Sequence, residues 1–328
     1  MRTMPLCVIA VLFWSCNLKP DITGRPLYAQ QPTYATLFAK DSITLYSVDG
    51  NGKLLSIIPR GQTDFRRIVL LNTTHLGYFK ALNSLKRVVG VVEKNRLVAP
   101  YDSLLDSAMQ VGRKGILDLE KILLCSPDLV ICNSFQKAEL ERLPSTIKLL
   151  EVNEFNEQHP LAFSEWLLFF GELLDESAVA QEVFEKCRNE YELFPRIEHA
   201  FKIGTLYRFG NKYFSTSCTG RQSELFEKMG MELYCFGQGL QAPEITKEQA
   251  LVLLQQLDYL FFLDWFEYSR GRKEVLAELE LGEFEGKILY CNAKESKYYE
   301  ELMMQPAAVM KALSQIIKGK PTPYFVIL

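Results

Sequence analysis

The chain is poor in the residues that would announce a reaction. It has three histidines in 328 residues (His75, His159 and His199) and no HExxH or CxxC spacing, so nothing points to a dedicated metal site. The stretch Ser215-Thr216-Ser217-Cys218-Thr219-Gly220-Arg221 carries hydroxyls and a thiol. It lacks a G-x-S-x-G elbow, and Arg221 stands at the wrong distance from Cys218 for a phosphate loop. Gly237-Gln238-Gly239 is a fragment of a dinucleotide fingerprint and comes late in the chain. With no catalytic constellation and no cofactor motif, the chain reads as a non-enzyme. Long basic runs and basic helices are also missing, and the net charge is −3, which excludes nucleic acid as the expected partner. Low-complexity sequence is absent, and 48% of residues are hydrophobic, enough for a sizeable core and about two domains.

The N-terminus departs from globular sequence. Met1-Arg2-Thr3-Met4 is short and basic, and Pro5 to Trp14 is almost wholly apolar. That run is too short to span a membrane and fits a signal-peptide core. Ser15-Cys16 then resembles a bacterial lipoprotein cleavage site, with Cys16 as the lipidated new N-terminus. Residues 1–15 are expected to be the signal peptide, and 16–33, with three prolines, a lipid-anchored tether. Six further cysteines (Cys125, Cys132, Cys187, Cys218, Cys235 and Cys291) admit fifteen full pairings, and buried free thiols are as good a reading for Cys125 and Cys132.

The clearest unit is Gly112 to Ser134. Asp118 caps a helix with apolar residues at Leu119, Ile122 and Leu123; Ser126-Pro127 stops it; Leu129-Val130-Ile131-Cys132 is an uncharged run suited to a strand buried on both faces. A second unit matches it: Thr246 caps a helix through Leu254, and Asp258 opens the strand Tyr259 to Leu263. Glu120 and Glu248 each stand two residues after the cap. Strand patterns also fall at 67–71, 87–92, 147–152, 202–206, 231–235 and 287–291, and Tyr34 to Pro59 reads as a hairpin. Between the two halves, 163–194 is helical throughout, as one kinked helix or two, and Pro306 opens a last helix. The expected fold class is α/β: two lobes with mostly parallel sheets flanked by helices, joined by a long rigid helical backbone. The expected boundaries are 34–158 for the N-terminal lobe, 159–197 for the connecting helices and 198–328 for the C-terminal lobe.

Several motifs in this order carry a resemblance. They are Thr73-Thr74-His75-Leu76, Lys80-Ala81-Leu82, Arg87-Val88-Val89-Gly90-Val91, Val111-Gly112, Leu119-Glu120-Lys121-Ile122-Leu123 and Pro127-Asp128-Leu129-Val130-Ile131. Glu154, His159-Pro160-Leu161, Glu165-Trp166 and Thr246-Lys247-Glu248-Gln249 continue it. Over residues 65–317 the chain resembles the substrate-binding lipoproteins of ABC importers for ferric siderophores, haem and cobalamin. The resemblance implies capture of a metal chelate in the inter-lobe cleft and delivery to a dimeric membrane permease. It also implies a bacterial periplasmic or cell-envelope location with a lipid anchor, and docking onto permease arginines through Glu120 and Glu248. The loop Gly210-Asn211-Lys212-Tyr213-Phe214-Ser215 departs from the glycine pair and serine common in such proteins, so the identity of the chelate does not carry over. A surface-tethered interaction or sensor protein with a vestigial cleft is the competing reading, with an α/β enzyme behind it.

Ligands of open parallel sheets sit beyond the carboxyl ends of the strands. The loops there are rich in aromatic and cationic residues, which suit a flat ligand bearing carboxylate or phosphate groups. His75, Tyr101, Phe135, Arg208, Tyr213, Trp265 and Tyr298 are the candidate ligand contacts, with Arg208 and Trp265 foremost because each follows its strand closely.

Overall fold

The computed structural model describes residues 32–40, 44–49, 51, 53–59, 64–198, 201–239, 242–266 and 268–328. The expected signal peptide, Cys16, most of the tether and His199 lie outside the described residues.

The chain begins with β1 (Phe38–Lys40), β2 (Thr44–Val48) and β3 (Leu54–Pro59), an antiparallel sheet in that order. The expected hairpin thus gains a strand. Its leading segment is drawn inward because Ala35, Leu37 and Phe38 are all buried in the N-terminal core. Two carboxylates fix that segment. Glu165 accepts the backbone N–H groups of Thr33, Tyr34 and Ala35, each at 2.7 Å. Glu157 accepts those of Thr36 and Leu37, at 2.9 Å each, and the Trp166 indole N–H at 3.0 Å.

The N-terminal lobe follows: β4 (Ile68–Leu70), α1 (His75–Ala81), β5 (Val88–Val92), α2 (Tyr101–Leu104), β6 (Met109–Arg113), β7 (Ile116–Leu117), α3 (Leu119–Leu124), β8 (Leu129–Cys132), α4 (Ser134–Leu140) and β9 (Lys148–Glu151). Their sheet has the order β7-β6-β5-β4-β8-β9, parallel except for the β6–β7 pair. The central strands β4 and β8 are buried at every position, as uncharged runs in a doubly covered sheet should be. Asp118 caps α3 by accepting the Lys121 N–H at 3.0 Å.

Two helices then intervene, α5 (Pro160–Leu173) and α6 (Ser177–Glu192), broken where Asp175 takes a positive φ of 58°. Twelve of the fourteen α5 residues are buried. They divide between lobes: Trp166, Phe169 and Phe170 enter the N-terminal core, while Leu161 and Phe163 enter the C-terminal one. Full burial of such side chains contributes roughly 1.5–3 kcal/mol each, so α5 ties the lobes together stiffly.

The C-terminal lobe contains β10 (Lys202–Phe209), β11 (Lys212–Ser215), α7 (Arg221–Met229), β12 (Glu232–Leu233), β13 (Glu244–Ile245), α8 (Lys247–Gln256), β14 (Tyr259–Asp264), α9 (Arg272–Leu279), β15 (Lys287–Asn292), α10 (Pro306–Ile317) and β16 (Val326–Ile327). Strands β12, β10, β14 and β15 form a parallel core, edged by antiparallel β11 and β16. Thr246 and Gln249 form a capping box on α8. Cys218 and Cys235 are disulfide-bonded, and Cys125, Cys132, Cys187 and Cys291 are free thiols. Among the described residues no helix is long and apolar enough to cross a membrane.

Candidate ligand-binding site

In both lobes the carboxyl ends of the parallel strands point at the seam between them, where α5 lies. One stretch of that seam is closed. A Cβ added to Gly77 on α1 would fall well inside contact distance of the Glu300 carbonyl oxygen, so only glycine lets the two backbones approach this closely. Lys80 pairs with Glu301 across the seam at 2.7 Å, and the Ser164 hydroxyl donates to the Met304 carbonyl at 2.6 Å. Beside this closure is a cavity of about 100 Å³, faced by Thr73, Arg96 and Tyr101 from one lobe and Trp265, Lys297 and Glu300 from the other. Burial there pushes the Glu300 carboxyl above its ordinary range.

A larger cavity, about 560 Å³, opens beyond β10 and β14 and is lined among others by Arg208, Arg221, Trp265, Arg270, Tyr298 and Tyr299. That is the size of a small-molecule site. Its three arginines differ. Arg270 is committed to structure: its Nε bonds Asp264 at 2.6 Å, its Nη1 pairs with Glu278, and its guanidinium lies 3.9 Å from the Phe266 ring centre. Arg208 pairs with Glu280 at 2.7 Å and donates to the Glu278 carbonyl at 3.2 Å, leaving Nε without a partner.

Arg221 is different. The Cys218–Cys235 disulfide pins the loop ahead of it, and Gly220, at φ 109°, turns the chain into α7 with Arg221 as the first helical residue. The guanidinium lies 4.3 Å from the Phe163 ring centre on α5, and its Nη1 is enclosed with no hydrogen-bond partner. Burial draws its pKa down; the Tyr298, Tyr299 and Tyr78 hydroxyls and the Glu154 carboxylate pull the other way. Nearby, Trp265 stacks on Tyr299 with ring centres 4.2 Å apart while staying 54% exposed. A flat aromatic stack and an under-satisfied cation lining one cavity can accept a planar or aromatic molecule carrying an anionic group. Among the described residues no group of three or more His, Cys, Asp or Glu is arranged to hold a metal ion.

The family model for periplasmic binding proteins matches residues 68–285, more than half of the chain. The chain belongs to the periplasmic binding protein family. This binding protein also shares its fold with solved structures. A periplasmic binding protein from Veillonella parvula aligns with TM-score 0.64 and 12% identity, over 86% of this chain and all (100%) of that one. A periplasmic haem-binding protein from Pseudomonas aeruginosa gives 0.59 and 15%, over 80% and 98%. An Fe3+–Desferal-bound siderophore-binding protein from Vibrio cholerae gives 0.57 and 17%, over 76% and 97%. No curated protein matches the chain significantly. The two-lobed α/β architecture is therefore that of extracytoplasmic substrate-binding proteins, not of an enzyme.

The site residues expected from sequence separate into three groups. Arg208, Trp265 and Tyr298 all line the cavity of about 560 Å³ in this binding protein, and Tyr101 lines the one of about 100 Å³. Phe135, at the start of α4, is 84% exposed and stacks on Phe155 away from both cavities. His75 and Tyr213 lie in the interior. His75 is fully buried, with Nε2 3.0 Å from Glu154 and its ring against Phe170. Tyr213 points from β11 into the cluster with Ile245, Leu253 and Val275, because alternate residues of a strand face opposite sides. His75 cannot touch a ligand from there and leaves the candidate set, whereas Tyr213 borders a separate cavity of about 550 Å³ with Arg208, Lys212 and Thr246, apart from Arg221. Glu120 and Glu248 are exposed in the first turns of α3 and α8. Sequence reasoning passed over Arg221 and Tyr299; the signal for Arg221 was a glycine-arginine step at a helix start just after a strand and loop.

Proposed function

We propose that this binding protein captures a metal chelate, a ferric siderophore, haem or a cobalamin, between its lobes and hands it to an ABC permease. One observation carries the reading: a half-buried guanidinium, Arg221, whose Nη1 is enclosed and unpartnered, beside the stack of exposed Trp265 on half-buried Tyr299 in a cavity of about 560 Å³. The chelates in question are large, flat or aromatic, and bear carboxylate, hydroxamate or catecholate oxygens. Ligand contact is assigned to Arg221, Trp265, Tyr298 and Tyr299, with Arg208 and Tyr101 at the margins. Cys16 supplies the lipid anchor, and Glu120 and Glu248 dock on the permease.

The test is a titration of the purified protein with haem, Fe3+–Desferal and cobalamin, read by Trp265 fluorescence in the wild type and by calorimetry in both wild type and variant. At least one should quench saturably, and Trp265→Ala should weaken its binding several-fold, since aromatic stacking contributes about 0.5–1.5 kcal/mol beyond area burial. Failure of all three to bind, or an unchanged affinity in a folded Trp265→Ala protein, would overturn the assignment.

A further inference from the structure

Helices α3 and α8 can be laid over one another from their caps, Asp118 on Thr246. The match extends beyond the glutamates. Ile122 and Ala250 are both fully buried, and so, nearly, are Cys125 and Leu253. The next positions on the glutamate face break the usual pattern. Leu123 and Leu124 are 43% and 70% exposed, and Leu251 and Val252, at the same two places in the other lobe, are 37% and 47% exposed. Residues three and four apart share a helix face, so each glutamate has two aliphatic side chains one turn behind it. Isolated exposed leucines are ordinary on any protein. The same acidic-then-apolar arrangement recurs at equivalent exposed positions of the two helices, although Leu119, Lys121 and Ile122 around it in one are Lys247, Gln249 and Ala250 in the other.

The fold presents both copies alike. Each helix precedes a parallel strand, β8 or β14, and runs antiparallel to it, so both first turns lie at the carboxyl edge of their sheets, where the cleft opens. Lys121 is paired with Asp118 at 2.9 Å, which leaves the neighbouring Glu120 charge uncompensated from that side. The first-turn backbone and Thr246 hold the Glu248 carboxyl below its ordinary range. An occupant must therefore offer the same feature twice: a cationic group with an apolar recess about one helical turn, roughly 5.4 Å, away.

We infer that Leu123 and Leu124 on one lobe, and Leu251 and Val252 on the other, are apolar footings that seat the protein on the two equivalent subunits of the dimeric permease, each beside its acidic contact. Charge steers and orients such an encounter, while buried aliphatic area slows its dissociation. The inference rests on the permease-docking reading.

The experiment leaves the glutamates intact. The fourfold variant Leu123→Gln, Leu124→Gln, Leu251→Gln, Val252→Thr is compared with wild type for melting temperature, for binding of haem, Fe3+–Desferal and cobalamin, and for affinity to the host's permease in nanodiscs. Chelate binding and melting should be unchanged. Permease affinity should fall by about tenfold or more, the scale of burying several aliphatic groups. Each lobe's pair alone should give a partial loss, and these two variants carry the test if the fourfold protein does not fold. Wild-type permease affinity in the fourfold variant, alongside loss in Glu120→Arg with Glu248→Arg, would overturn the apolar footing while leaving the docking reading standing. No permease binding by wild type would overturn both. Self-association of wild type that the fourfold variant abolishes would assign the patches to a second copy of the chain and overturn the inference.

Discussion

Replacing Arg221 by methionine separates a binding role from a packing role. The two side chains have similar length, so the thioether fills the space against Phe163 without the charge. Two effects on the ligand-free protein oppose each other. The cation–π contact, at 4.3 Å from the ring centre, is lost, which costs about 0.5–2 kcal/mol. The enclosed Nη1 without a partner is removed, which relieves about 1–3 kcal/mol of desolvation. Their sum lies near zero, so the melting temperature should stay within a few degrees of wild type. Ligand affinity should behave otherwise. Truncating one member of a buried charge-assisted pair costs about 2–5 kcal/mol, a loss of roughly thirty-fold to several thousand-fold in Kd. Calorimetric titration with the chelate that binds, and a thermal melt of the same preparation, give both numbers. Arg221→Lys keeps the charge but not the planar fork and should fall between. If Arg221→Met binds within twofold of wild type, or melts many degrees lower, Arg221 is a structural residue and the site reading fails.

Three further outcomes follow from the same geometry. Gly77→Ala should force the seam between α1 and Glu300 apart and lower stability by about 1–3 kcal/mol, because its Cβ would sit far inside an ordinary contact distance from a backbone oxygen; an unchanged calorimetric melt would mean the lobes do not touch there. Burial acts to raise the pKa of Glu154, but His75 and Thr74 outweigh it and hold the carboxyl below its usual 4.5. Its stabilisation is thus present above that value and lost as pH falls through the folded pKa, so Glu154→Gln should melt lower than wild type at neutral pH but lose less on acidification below 4.5; parallel melting-temperature curves would contradict this. Removing the disulfide with Cys218→Ser and Cys235→Ser should cost about 2–5 kcal/mol and also weaken chelate binding, because the loop that delivers Arg221 loses its pin; lost stability with intact affinity would uncouple that loop from the site.

The repeated helix-then-strand units were legible because their signals are local. Asp118 and Thr246 cap, Pro127 breaks, and Leu129–Cys132 can only be a strand buried on both faces. Strands β6 and β7 were not legible: Gln110 and Gly112 spoil the alternation, and an edge pair needs no continuous apolar run. The site was half legible for a related reason. Chain position says which loop a residue is in, which is enough for Trp265 and Arg208, but not which way it points, so the full burial of His75 was not legible. What distinguishes Arg221 from Arg270 is whether a carboxylate pairs with it directly, and that is a property of the assembled lobes. Asp264 is six residues before Arg270 in the chain, whereas the surroundings of Arg221 come from α5, the 298–299 segment and the opposite lobe.

The two carboxylates that hold residues 33–37 have a mechanical consequence. Both belong to α5 or its approach, and α5 is the helix whose side chains enter both cores. A tug on the chain ahead of Thr33 therefore reaches the hinge post first, at Glu165, before the buried Leu37 and Phe38 can pass it to the N-terminal lobe. Five backbone hydrogen bonds in a row, from Thr33 to Leu37, share that load ahead of the first strand. A leash fastened at that point pulls first on the post that both jaws share.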